Sequence, residues 1–273
     1  MTAKKQVKNI LKSQFEKELF KASLGNLTQG GPLCLNNFAY SLRELVRNIL
    51  QRFSPDTEIL KCTWYRPEKG KKKNYITRAM RIKYAIQGGL SDYYLKNILH
   101  VDSNSVIKNL LHLVETLSNF THINEGNFAL NPRMTLVKAT EYLQILADFS
   151  DLMTDCRDKV IENATNNLED VITNELISET ISEIDELATH YYVDEVNIDL
   201  ISVDQIKSDK IILKIDCTLD CEMQIGSNSD IKNDIGEIFN QSFPVSIKME
   251  VQMIKPLGRY LKLLSYDVDT SSE

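Results

Sequence analysis

Nine of the cationic side chains that could hold a phosphate backbone fall in one short stretch. Residues Lys61 to Lys83 carry Lys61, Arg66, Lys69, Lys71, Lys72, Lys73, Arg78, Arg81 and Lys83 against a single acid, Glu68. An arginine fork pairs bidentately with phosphate oxygens, and a lysine adds a compact point charge. Trp64, Tyr65, Tyr75 and Tyr84 interleave with these cations. Aromatic rings beside cations suit single-stranded nucleic acid, whose bases stack while its phosphates are neutralised. The same charge density would also dock an acidic protein surface, including the acidic half of this chain, or simply be solvated surface.

A second constellation centres on His122, in the run Leu117-Ser118-Asn119-Phe120-Thr121-His122. It falls at the end of an apolar helix, where packing holds the backbone and the imidazole still reaches solvent. A histidine so placed can move the proton of an attacking 2′-hydroxyl in RNA cleavage. It can equally do no more than complement the helix dipole. Arg43 and Arg47 sit one turn apart on another amphipathic helix and would stabilise charge developing on the phosphate. His100 and His112 have no supporting pattern.

The third set is the carboxylates Asp199, Asp216, Asp220 and Glu222, with Gln224. A metal-dependent nuclease sheet sets an Asp on one strand and Glu-x-Lys on the next. Here Glu222-Met223-Gln224 lacks the lysine, and Asp216 and Glu222 crowd one strand. Alternation alone puts polar residues there, so no metal site and no cofactor are expected. The Asp-rich segment from Gly226 to Gly236 lacks EF-hand spacing and reads as a connecting turn. Five scattered cysteines without a CxxC pair argue for buried, reduced thiols in a cytoplasmic protein.

These groups need elements to position them. Val7, Ile10, Leu11, Phe15 and Leu19 predict a helix from Ala3 to Ala22, followed by a turn from Gly25 to Pro32. Asn36 or Asn37 is the expected cap of a helix from Phe38 to Phe53 that stops before Pro55. Pro67 and Gly70 make the centre of the basic stretch a loop, with helix resuming from Arg78 to Gln87. Helices capped near Ser91 and near Asp102 or Ser103 follow, the second reaching Phe120. After a loop around Gly126 and Pro132, helix continues from Thr135 to Leu187. At His190 the period changes from helical to two. Val193, Val196, Ile198, Leu200 and Val203 alternate imperfectly, whereas Lys210–Ile225 and Phe243–Ile254 alternate well, with frayed residues from Asp267 onward. The fold class is therefore α+β, an N-terminal helical domain (1–188) followed by a smaller antiparallel β-rich domain (189–273).

Charge follows the same division. Residues 1–149 hold 22 Lys+Arg against 12 Asp+Glu, and residues 150–273 hold 10 against 26. Hydrophobic content of 42% beside 26% charged residues is that of a folded, water-exposed protein. The longest apolar runs, such as Ile211-Ile212-Leu213, are too short to span a membrane, and charges interrupt the first residues as they do not in a secretory signal.

Two stretches carry a family resemblance. Leu35-Asn-Asn-Phe-Ala-Tyr-Ser-Leu-Arg-Glu-Leu-Val-Arg, then Trp64, Arg81-Ile-Lys-Tyr-Ala-Ile-Gln-Gly-Gly-Leu and Phe120-Thr-His, resembles the predicted nucleases encoded beside prokaryotic PIWI/Argonaute genes in bacterial defence islands. Gly226-Ser-Asn-Ser-Asp, Gly236-Glu237 and Ser242-Phe-Pro look like the β-rich tail of such proteins. The helical half is also similar, distantly, to HEPN ribonuclease domains, which carry Arg, four to six residues, then His, and often dimerise. His122 matches that histidine, but Ser118, Leu117, Thr116 and Glu115 precede it where an arginine would stand, so Arg43 or Arg47 would have to supply the charge. The resemblance implies a nucleic-acid-binding protein or metal-independent ribonuclease in defence against phage or plasmids, with a homodimer as one assembly. The competing class is a non-enzymatic sensor or adaptor for a protein effector.

Overall fold

The computed structural model describes residues 2–164, 168–178, 181–253 and 260–271. The chain forms two compact units, Met1–Cys156 and Arg157–Glu273.

In the first unit, two helices stand where apolar periodicity predicts one. α1 (Ala3–Asn9) stops, and α2 (Gln14–Gln29) starts again behind Ser13. The Ser13 hydroxyl accepts from the Glu16 N–H at 3.1 Å, and the Glu16 carboxylate accepts from the N–H groups of Lys12 (2.8 Å) and Ser13 (3.4 Å). This capping box satisfies the amides that the break exposes. α2 then runs through Gly25 and ends at Gly30, whose φ of +70° suits a glycine, so the expected turn is confined to its last residues.

α3 (Cys34–Phe53) buries Leu35, Phe38, Ala39, Leu42, Leu45, Val46, Ile49 and Leu50, and it packs against α2. Its cap differs from expectation. Asn36 lies inside the first turn, buried, and its side-chain amide donates to the Phe120 carbonyl at 2.9 Å. Its other end is tied down by Arg52. That guanidinium donates to both Glu16 carboxylate oxygens, at 2.8 and 3.0 Å, and to the Ile10 carbonyl at 2.7 Å. Burial raises the Glu16 pKa, but the Arg52 bonds and charge and the Lys12 and Ser13 amides outweigh it, so the carboxyl is held below its ordinary range.

α4 (Asp56–Ile59) follows Pro55, and α5 (Arg78–Gln87) opens behind Thr77, whose hydroxyl accepts from the Met80 N–H at 3.1 Å. α6 (Asp92–Asn97) is capped by Ser91. α7 (Asn104–Phe120) packs with α5 on α3, which places α3 at the centre of the unit. Pro132 opens α8 (Pro132–Ala164) instead of lying in the preceding loop. Asn131 accepts from the Met134 N–H, and proline suits a first helical position.

In the second unit, α9 (Leu168–Ser178) and α10 (Ser182–Asp185) precede a four-stranded antiparallel meander, β1 (His190–Ile206), β2 (Lys210–Ile225), β3 (Glu237–Gln252) and β4 (Leu261–Val268). Register shifts at Val193/Glu195, Ile198/Leu200 and Val203/Gln205 account for the imperfect alternation of β1. On β2 and β3 the pairs Leu213–Met249, Ile215–Ile247, Cys217–Val245 and Leu219–Phe243 build one buried face. α9 buries Leu168, Ile172 and Leu176 and packs on both β1 and β4, the two edges, so it crosses the sheet. Helix therefore gives way to strand near residue 189, while the compact units divide between Cys156 and Arg157.

Three details depart from the pattern read in the sequence. Ile225 is 48% exposed although alternation puts it on the apolar face. β3 begins at Glu237, before Phe243, after a short helix α11 (Asn228–Lys232) capped by Ser227 and Asp230. The end expected to fray from Asp267 holds the last two residues of strand β4 instead. Asp267 pairs with Ser246, Val268 is buried, and the Asp269 N–H donates to the Pro244 carbonyl.

Candidate nucleic-acid interface

The first unit has an open cleft of about 930 Å³. α3 contributes Arg43, Glu44, Val46, Arg47, Leu50 and Gln51 to its wall. Pro55 and Asp56 come from the turn into α4, Tyr75 and Ile76 from the basic loop, Arg78 and Arg81 from α5, and Val114 and Ser118 from α7. Four arginines thus line one concave surface, although Arg43 and Arg81 are far apart in the chain.

The four arginines are held differently. Arg81 Nη1 donates to the Ser54 carbonyl (3.1 Å) and Asp56 carboxylate (2.6 Å), and the Ser54 hydroxyl donates back to the Arg81 carbonyl (2.6 Å). It therefore pins α5 to the end of α3. Arg43 donates through Nη2 to Glu44 (3.0 Å) and through Nη1 to the Thr121 hydroxyl (3.4 Å). Arg47 gives Nε to the other Glu44 oxygen at 2.8 Å, which leaves both Nη groups for the cleft. Burial raises the Glu44 pKa, but the hydrogen bonds and charges of Arg47 and Arg43 prevail, so it stays ionised and orients both. Arg78 is exposed and has no hydrogen-bond or ion-pair partner among the described residues.

The basic stretch is divided in the same way. Lys61 pairs with Glu58 at 3.0 Å and Lys83 with Asp92 at 2.7 Å, while Arg66 donates to the carbonyls of Thr63 and Tyr65. Lys69, Lys71, Lys72 and Lys73 are exposed, with no carboxylate partner among the described residues. Of the aromatics, Tyr84 is buried with Ile59 and Cys62 in a small core. Trp64 is half-buried against that core. Its ring carries Lys83 Nζ 4.7 Å from the centroid, and its Nε1–H donates to the Gly88 carbonyl at 2.9 Å. Trp64 and Tyr84 thus anchor the loop, and Tyr75, 44% exposed, is the aromatic that meets the cleft.

His122 lies just past α7 and is not part of the cleft wall. Its carbonyl accepts from the side chains of Asn127 (2.9 Å) and Asn124 (3.3 Å), and its imidazole is exposed. Arg43 connects the two places, because it lines the cleft and bonds Thr121, the neighbour of His122. Sequence reasoning passed over Glu44, Asp56, Gln51 and Ser118. The i,i+3 spacing of Glu44 and Arg47 was the one available signal for any of them.

On the sheet, three of the four candidate carboxylates, Asp199, Asp216 and Asp220, face a neutral or cationic donor on their own or an adjacent strand. Asp199 accepts from the Thr218 hydroxyl (3.0 Å), and Asp220 from Asn197 (2.9 Å) and Ser242. Asp216 accepts from the Ser246 hydroxyl (2.8 Å) and Lys214 (3.1 Å), which lower its pKa. Gln224 is buried and donates to the Gly226 carbonyl. Among the described residues, no three His, Cys, Asp or Glu side chains gather as a metal site would need. None of the five cysteines forms a disulfide. Burial pushes the Cys62 thiol up to about 12 and those of Cys217 and Cys221 to about 11, so these three have almost no thiolate for nucleophilic chemistry. Among the described residues no helix is long and apolar enough to cross a membrane.

Fold and cleft together define an α+β protein with an arginine-lined helical unit followed by an antiparallel sheet unit. Two family models, each described as a predicted pPIWI-associating nuclease, match residues 8–146 and 153–272, so the chain belongs to that family. No curated protein and no solved structure matches it.

Proposed function

We propose that the chain binds nucleic acid in the arginine cleft and acts as a metal-independent ribonuclease. The observation that carries the binding half is the convergence of Arg43, Arg47, Arg78 and Arg81 on one wall. Guanidinium groups at a cleft offer several donor pairs to successive phosphates, and exposed Lys69, Lys71, Lys72 and Lys73 extend the positive surface along the adjoining loop. In the cleavage step, His122 takes the proton of a 2′-hydroxyl. The resulting oxygen attacks phosphorus, the P–O5′ bond breaks, and the imidazolium returns the proton to the departing 5′-oxygen. Arg43 and Arg47 offset the charge that builds on the phosphate. The HEPN likeness enters this reading through His122 alone. Defence against foreign nucleic acid in a bacterial cytoplasm belongs to the same proposal. It is supported by the PIWI association in the family description, and cysteines outside any disulfide fit a reducing compartment.

A second reading, a non-enzymatic sensor or adaptor, is favoured by one observation. His122 stands outside the cleft wall, and Arg43 and Arg47 already share Glu44. Cleavage of single-stranded RNA in EDTA separates the two. His122→Ala, with folding checked by circular dichroism, is expected to slow cleavage by about 10²–10⁴-fold, the usual worth of a proton-transfer group. Full activity in the folded variant would remove His122 from the mechanism. Tight binding without cleavage by the unaltered protein would favour the adaptor. Activity that needs Mg²⁺ and disappears in Asp216→Ala or Glu222→Ala would move the chemistry to the sheet.

A further inference from the structure

We infer that the cleft selects single-stranded nucleic acid, with an unstacked base lying on Tyr75 while the flanking phosphates meet the arginines. The inference rests on the cleft being the nucleic-acid site, and it names the form of the ligand.

Tyr75 is fixed from behind. The Tyr65 hydroxyl donates to its carbonyl at 3.4 Å, its own N–H donates to the Lys72 carbonyl, and the next residue, Ile76, packs on the small core of Ile59, Cys62 and Tyr84. The residue stays 44% exposed at the cleft wall, with Lys71 Nζ 5.4 Å from its ring centroid. A flat apolar ring beside a cation, held on a packed base, is what a nucleobase stacks on. Arg78, three residues on, and Arg47 line the same cleft with uncommitted N–H donors. Bases inside a duplex are stacked on each other and present only their edges, so a duplex reaches the arginines without engaging Tyr75. A free nucleotide has the same ring and phosphate chemistry. The polymer is preferred because the positive surface does not end at the cleft. Exposed Lys71, Lys72 and Lys73 precede Tyr75 on the same loop.

The test is fluorescence anisotropy with the full chain, using a short labelled 2′-O-methyl oligouridine, which lacks the attacking hydroxyl, a labelled oligothymidine, a duplex of equal length, and uridine monophosphate as competitor. The single strands should bind at least about tenfold more tightly than the duplex. Tyr75→Ala should weaken single-strand binding by about 5- to 100-fold, the usual worth of one stacked base, and leave duplex binding unchanged, while Tyr75→Phe keeps the preference. Unaltered single-strand binding in Tyr75→Ala, with binding lost in Arg78→Glu, would overturn the stacking inference and leave the cleft in place. Unaltered binding in both variants would overturn the cleft itself. Monophosphate competing as well as the oligonucleotide would overturn the polymer assignment.

Discussion

Charge reversal at Arg47 and Arg78 together is expected to lower polynucleotide affinity by about two to four orders of magnitude. A hydrogen bond to a charged group contributes about 1.5–3 kcal/mol, and each 1.4 kcal/mol is tenfold in affinity. These two are the informative positions because neither holds the fold together. Arg78 has no hydrogen-bond or ion-pair partner among the described residues, and the Arg47 side chain is 61% exposed. Arg81 and Arg43, by contrast, also pin α5 and the end of α7, so their loss would mix binding with folding. The slope of log affinity against log salt should fall by about 1.4, which is 0.7 for each single-strand phosphate contact released. Isothermal titration across a salt series, with thermal unfolding as control, makes the comparison. An unchanged slope with an unchanged melting curve would show that the backbone is bound elsewhere.

Replacing Glu16 with Ala should cost about 3 kcal/mol of stability. Breaking a buried ion pair by removing one partner costs about 3–5 kcal/mol. The lower end applies because the Arg52 side chain keeps 29% exposure and still has the Ile10 carbonyl. Glu16 also closes the capping box of α2, so one substitution undoes a helix start and the tie between α2 and α3. At roughly 2–4 °C per kcal/mol, the melting temperature should drop by about 6–12 °C. The pH dependence follows from the lowered pKa of Glu16. A carboxyl whose folded value lies below its unfolded one adds stability that is fully present above the unfolded value of about 4.3 and is lost as pH falls through the folded one. The gap between the unaltered protein and Glu16→Gln should therefore be widest near pH 7 and should narrow below about pH 4. A gap of equal size at pH 7 and pH 3 would mean that the ion pair contributes nothing beyond packing.

Local chemistry explains which parts of this fold are legible in the sequence. Apolar spacing places α3, α5 and α7 because a helix that packs on one side must repeat with its own period. The alternation through most of Lys210–Ile225 marks out β2, since both of its neighbours are paired and one face is buried. The break at Ser13 was also written locally, in the Ser13 and Glu16 pair of a capping box, but the continuous apolar stripe around it concealed it. β4 left no such mark. Leu261–Val268 is an edge strand with only Val268 fully buried, so its sequence was never forced to alternate.

The cleft is a different matter. The sequence by itself determined that the N-terminal part is helical and basic, that the C-terminal part is an acidic sheet, and that cations and aromatics share one loop. Which cations face the cleft was decided only by tertiary structure. Asp56, Asp92, Glu58 and Glu44 come close to particular basic residues through turns and helix faces that composition does not record. Arg43 and Arg47 meet Arg78 and Arg81 because α5 packs against α3, and Trp64 and Tyr84 turn inward because the loop needs a core of its own. Charge is a property of residues, but a binding surface depends on what remains unpaired after the chain has packed.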